Sequence, residues 1–258
     1  ACDRADVNKN KEIRDRRVEE FHKNTYTEHP EIRTKEGFAL RSSYYPQDGH
    51  KYAIMIHGYT GSRREMQSIA SMYYSWGFSV LTPDNRAHGE SEGKYIGMGW
   101  LDKDDIQLWM EWIRNKDKDA KIVIQGCSMG AATVMMTAGD NPPGLVAAVE
   151  DCGYTSVWDI FSDELKTLFH LPAFPVLYMC DVVARLKAGY SIRRASSVEQ
   201  LKKTSIPMLF IHGSNDRFVR SSMLDENYDA KVDGPKEKLL VEGAAHGESE
   251  VVAPDLYY

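Results

Sequence analysis

The chain has 258 residues, 42% of them hydrophobic, which suits one large domain or at most two small ones with a sizeable core and excludes a disordered or fibrous protein. Its formal net charge is −6, and no long basic run is interleaved with aromatics, which argues against nucleic acid or an acidic membrane surface as partner. Cys2, Cys127, Cys152 and Cys180 are widely spaced with no Cys-x-x-Cys pair, so neither a zinc site nor a disulfide framework is expected. No apolar run could span a bilayer and no secretory h-region is present, so a cytoplasmic location is expected for the chain as given. Ala1 leaves an extracytoplasmic alternative, anchored through a removed N-terminus, with which Cys2 is compatible as a lipidated residue.

In chain order, Lys9 to Lys23 is heavily charged with sparse apolar positions at Ile13, Val18 and Phe21, and reads as a surface helix or arm without chemistry of its own. Residues 1–36 form this N-terminal segment and 37–258 the main domain. Phe38 to Tyr45 has strand character, Pro46-Gln47-Asp48-Gly49 has turn chemistry, and Tyr52 to Ile56 is the next strand, so a hairpin is expected. Strand and helix then alternate: helix Arg63 to Trp76, strand Ser79 to Leu81, helix Leu101 to Arg114, strand Ile122 to Ile124, helix Ala131 to Ala138, strand Val146 to Val149. After an interruption come strand Pro207 to Ile211, helix Ser221 to Ala230 and strand Lys238 to Val241. This alternation predicts an α/β fold, a mostly parallel central sheet flanked by helices.

The interruption, about 155–196, is rich in Trp158, Phe161, Phe169, Phe174, Leu177 and Tyr178 at helical spacing. It is expected to be a helical cap whose aromatics wall an apolar pocket, with packing on the sheet as the alternative.

Gly126-Cys127-Ser128-Met129-Gly130 sits between a strand and a helix. A serine on so tight a turn is held in a strained conformation that lifts its hydroxyl above the sheet, making Ser128 a candidate nucleophile. A neutral hydroxyl needs a base and an orienting acid. His246 follows the last predicted strand and Asp216 the preceding one, and side chains converge at such strand ends. The backbone amide of Met129 at a helix N-terminus, and that of Tyr59 after His57-Gly58, are the candidate oxyanion donors. Cys127 is expected to point away from the solvent face as an inert buried thiol. His57, His88 and His212 suit loop-bracing roles. No His-Glu-x-x-His or similar spacing exists, so no metal and no cofactor are expected.

These residues, with Asp84-Asn85-Arg86-Ala87-His88-Gly89-Glu90-Ser91, resemble the serine α/β-hydrolase superfamily from about Phe38 onward. Within that span, Tyr95-Ile96-Gly97-Met98-Gly99-Trp100 and Glu150-Asp151-Cys152-Gly153-Tyr154-Thr155-Ser156 resemble a bacterial branch of uncharacterised esterase- or peptidase-like hydrolases, some with an N-terminal membrane anchor. The resemblance implies an α/β-hydrolase fold and a catalytic triad of Ser128, Asp216 and His246. Some members take the acid from an earlier strand end, where Glu150 and Asp151 lie; position favours Asp216. Ala87 replaces a glycine of many relatives, a tolerable change unless that backbone needs a positive φ. The chain also ends soon after His246, where relatives continue into a helix packed on the sheet, so an uncovered sheet face or a swapped element is expected if that helix is absent.

The function expected is hydrolysis of carboxylic esters with apolar or aromatic acyl groups through an acyl-enzyme. The alternatives are an amide or peptide hydrolase, a lyase using the same triad, or a non-catalytic binding protein on the same scaffold. A small-molecule ester or amide is the partner implied.

Overall fold

The computed structural model describes residues 4–258, so the reading of Cys2 lies outside the described residues. Eight strands form one sheet: β1 (Glu31–Arg33), β2 (Ala39–Tyr45), β3 (Lys51–Ile56), β4 (Ser79–Pro83), β5 (Lys121–Cys127), β6 (Leu145–Asp151), β7 (Met208–Gly213) and β8 (Lys236–Val241). Their spatial order is β1-β2-β4-β3-β5-β6-β7-β8, parallel from β4 through β8 and antiparallel at β1 and β2.

The expected hairpin is not formed. β4 lies between β2 and β3, antiparallel to the first and parallel to the second. Turn chemistry at residues 46–50 reverses the chain but does not choose the partner strand. The five-residue connection easily crosses two interstrand spacings, roughly 10 Å. Ser79 to Pro83 are buried throughout, which suits an interior strand with ladders on both edges.

The helices are α1 (Arg4–Asn24), α2 (Gln67–Ser75), α3 (Asp102–Lys116), α4 (Met129–Ala138), α5 (Val157–Phe169), α6 (Val176–Lys187), α7 (Ser197–Leu201), α8 (Met223–Ala230), α9 (Ser249–Val252) and α10 (Pro254–Tyr257). Helix α3 shows why such segments fold. Ile106, Trp109, Met110 and Ile113 recur on one buried face, while acids in the first turn and Arg114 and Lys116 in the last complement the helix dipole.

Alternation along β3 sends Ile54 and Ile56 into a core with Trp109, Ile124 and Phe210, and Ala53 and Met55 into a second core with Tyr45, Val80 and Ile211. Truncating one of these isoleucines to alanine costs about 2–5 kcal/mol. The second core is closed by Phe21 of α1 and Tyr257 of α10. That sheet face is therefore covered by helices from both ends of the described chain. Arg17 of α1 fastens the arrangement: its guanidinium donates to Ser68 Oγ (2.7 Å) and Ser71 Oγ (3.1 Å) of α2, and to Glu250 Oε1 (2.9 Å) of α9.

Candidate active site

Strand β5 runs directly into Ser128, whose φ of 57° and ψ of −117° lie in a sparsely populated region costing about 1–3 kcal/mol. The surroundings enforce this conformation. A Cβ on Gly126 would lie 2.3 Å from the Gly130 carbonyl oxygen, and one on Gly130 only 2.1 Å from the Ile56 carbonyl oxygen. Both positions must therefore be glycine for strand and helix to approach. The Ser128 amide donates to the Asp151 carbonyl at 2.9 Å, pinning the turn to β6.

From this turn a chain of hydrogen bonds runs across three strand ends. Ser128 Oγ lies 2.9 Å from His246 Nε2, and His246 Nδ1 lies 2.7 Å from Asp216 Oδ2. Asp216 Oδ1 accepts the amides of Phe218 and Val219, each at 2.9 Å. With Nδ1 donating to the carboxylate, Nε2 is free to accept from the serine. Burial pushes the Asp216 carboxyl up, but hydrogen bonds from His212 and His246 outweigh it and hold the group well below the usual carboxylate range. The Phe218 ring stands edge-on to His246, with centroids 5.0 Å apart, and limits its swing.

Glu150 and Asp151 take other partners. Glu150 Oε2 accepts the Gly153 amide at 2.9 Å, and burial pushes the carboxyl up to about 8. Asp151 accepts the Tyr257 hydroxyl at 2.9 Å, and burial pushes it up to about 6. Among the described residues Glu150 Oε1 and His212 Nδ1 are buried without a hydrogen-bond partner.

His57 is neutral: burial pushes it down to about 4, Nδ1 donates to the Gly58 carbonyl, and Nε2 accepts the Asn85 amide at 2.9 Å. It braces the loop that carries Tyr59. His88 does likewise, bonding the Arg86 carbonyl and the Thr60 amide. A Cβ on Gly58 would come within 3.4 Å of Ser128 Cβ, so the Gly58–Tyr59 strip runs beside the serine. Met129 opens α4, where its amide has no acceptor within the helix.

A cavity of about 810 Å³ opens over Ser128 and His246. Met66, Ile69 and Tyr257 form buried apolar lining, while Arg64 and Glu65 are exposed at its mouth. Arg14, Asp15 and Val18 of α1 complete the wall. Three expectations change here. The charged N-terminal segment, read as chemically silent, borders the cavity. The aromatics of residues 155–196 do not line it among the described residues: Trp158 and Phe161 pack with Met98 and Met129, and Phe169 and Phe174 face solvent. Cys127 is half-buried and lines the cavity, its sulfur 3.6 Å from Cys152 Sγ, because the turn rotates it toward the Gly247 loop. The close His50, Asp117 and Asp119 group lies at the surface, where His50 Nδ1 and Asp117 already bond each other at 2.8 Å.

Val18, Phe218 and His212 were not singled out for the site from sequence. Phe218 and Val219 lie two and three residues after the acid, a signal in the sequence; the spacing of Val18 and Phe21 marks an apolar face but not what it touches.

An eight-stranded, mostly parallel sheet with a strained serine at the β5–α4 turn defines an α/β-hydrolase. The family model for serine aminopeptidase S33 matches residues 48–168. The uncharacterised protein YqkD of Bacillus subtilis is 30% identical over 226 residues, covering 83% of this chain and 74% of that protein. The chain belongs to the α/β-hydrolase family. A thermostable monoacylglycerol lipase of a Bacillus species is 24% identical over 102 residues, covering 38% of this chain and 39% of that protein. The solved esterase Pf2001 of Pyrococcus furiosus superposes with a TM-score of 0.74 at 22% identity, over 90% of this chain and 89% of that one.

Proposed function

We propose that this chain is a serine hydrolase that cleaves carboxylic esters with apolar or aromatic acyl groups. The observation that carries the proposal is the unbroken chain Asp216–His246–Ser128 on a strained turn, with distances of 2.7 and 2.9 Å. His246 Nε2 takes the Ser128 proton as Oγ attacks the ester carbonyl, and Asp216 stabilises the resulting imidazolium. The amides of Tyr59 and Met129 receive the oxyanion. Collapse expels the alcohol, protonated by His246. Water, deprotonated by the same imidazole, then releases the acid and restores Ser128.

Support for an apolar acyl group comes from Met66, Ile69, Val18 and Phe218 in the cavity lining rather than from the 155–196 aromatics. The esterase and lipase names among similar proteins agree with it. Amide hydrolysis is the second reading, favoured by the aminopeptidase family model.

A fluorophosphonate probe tests the reaction class: it should label the wild-type chain and leave Ser128→Ala unlabelled, with ester turnover lowered about a million-fold. A folded wild-type chain that resists the probe would instead be a binding protein on this scaffold. Graded acyl esters run beside aminoacyl amides separate the two substrate readings.

A further inference from the structure

Helix α6 is amphipathic in the wrong direction for a helix of a protein core. Met179, Val182, Val183 and Leu186 recur at i, i+3, i+4 and i+7, and all four face solvent, Leu186 with 79% of its surface exposed. The inward face instead carries Leu177 and an acid, Asp181, which accepts hydrogen bonds from Arg185 and Ser191. Helix α5 and the following loop extend the same surface with exposed Leu168, Phe169, Leu171 and Phe174. So many adjacent large apolar side chains are not ordinary solvent-facing surface, where such residues stand singly.

The charge around this surface says what covers it. Residues 165–196 hold five Lys or Arg (Lys166, Arg185, Lys187, Arg193 and Arg194) and a single acid, Asp181, in a chain whose net charge is −6. Asp181 is buried and paired with Arg185. Arg193 lies over the rings of Trp158 and Tyr178, at 5.3 and 5.1 Å, and so stands at the border of the apolar surface. Of the three acids of α5, Asp163 is taken by Arg220 and Asp159 accepts the Thr155 and Ser156 hydroxyls at the start of the helix, leaving Glu164 as the nearby acid. A twofold contact with a second copy would set these cations against one another with Glu164 alone of the nearby acids left to receive them.

We propose that α5, α6 and their connecting loop dock on an anionic lipid surface, the apolar side chains entering the headgroup boundary and the basic residues meeting lipid charge. Whole-chain charge argued against an acidic membrane, because it averages this local basic rim with an acidic remainder. The surface follows β6 at the same end of the sheet as Ser128, which follows β5, so a docked membrane lies on the side of the cavity. Docking does not depend on the proposed hydrolysis.

Co-sedimentation with phosphatidylcholine vesicles, with and without phosphatidylglycerol, tests the proposal. The wild-type chain should bind the anionic vesicles on the order of a hundredfold more tightly than the neutral ones, from about three engaged cations. The doubly substituted Phe169→Glu, Leu186→Glu chain should lose binding to both. Lys166→Glu with Lys187→Glu should lose only the anionic preference and its salt dependence. All these positions are exposed and outside the cavity, so circular dichroism and turnover of a water-soluble ester should match wild type. Absence of wild-type binding, or binding that survives Phe169→Glu with Leu186→Glu, would overturn the proposal. So would a wild-type dimer in sedimentation velocity that the same pair dissociates, since the surface would then belong to a second copy.

Discussion

His212 and His246 reach the same oxygen of Asp216: His212 Nε2 lies 3.3 Å from Oδ2, and His246 Nδ1 lies 2.7 Å from it. His212 is fully buried, and its Nε2 also donates to the Val219 carbonyl at 2.9 Å. It therefore shares the carboxylate charge that orients the proposed base and ties the acid to its own loop.

Replacing His212 by phenylalanine keeps the ring and removes the donor. With one donor fewer, the carboxylate is less firmly fixed toward His246. Ester kcat/KM near neutrality should fall roughly tenfold with KM little changed, the size expected for a hydrogen bond to a charged group. An unchanged kcat/KM in a folded variant would reduce His212 to loop support.

Helix α1 borders the cavity through Val18, whereas the α5–α6 aromatics do not. Val18→Trp should raise KM for long-chain esters while leaving kcat for acetyl esters near wild type, because it fills space without touching the reacting atoms. Arg17→Ala should release α1 more generally, at about 1–2 kcal/mol for its hydrogen bonds, and expose that helix to limited proteolysis.

Ala87 has a φ of 59°, the condition under which a glycine is preferred there. A left-handed alanine is strained, and part of the relief is returned as unfolded-chain entropy when glycine replaces it. Ala87→Gly should stabilise the fold by about 1 kcal/mol, or about 2–4 °C in Tm. A lower Tm would show that the loop tolerates the strain.

Glu150 is raised from 4.5 to about 8 by burial. Between those values the folded chain holds a proton that the unfolded chain releases, so stability falls as pH rises through this window. Glu150→Gln removes the proton and keeps an acceptor for the Gly153 amide. Its Tm should therefore decline less than that of wild type across the same range in calorimetry, and parallel curves would refute the assignment.

The strand ends were legible because apolar runs and His-Gly, Gly-x-Ser-x-Gly and Asn-Asp signals mark where a parallel sheet turns over, so Ser128, Asp216 and His246 could be named before their distances were known. The pairing of β2 with β4 was not, since turn residues 46–50 encode a reversal and not a neighbour. The direction of α6 was equally hidden. Its spacing of Met179, Val182, Val183 and Leu186 announces an apolar face, but only the placement of Asp181 inside reveals that the face looks outward. Nor could Val18 be read as cavity wall, because that contact joins segments far apart in sequence.

The bond between Arg17 and Glu250 spans 233 residues. A nascent chain can set α1 on α2 early, through Ser68 and Ser71, but its bond to α9 must wait until all eight strands have emerged, and contacts of such long separation form late because loop closure must be offset first. The cavity wall is thus completed after the sheet that carries Ser128. On refolding, Ser128 should become reactive toward a small probe before the chain discriminates between short and long acyl esters, and simultaneous recovery would contradict this order.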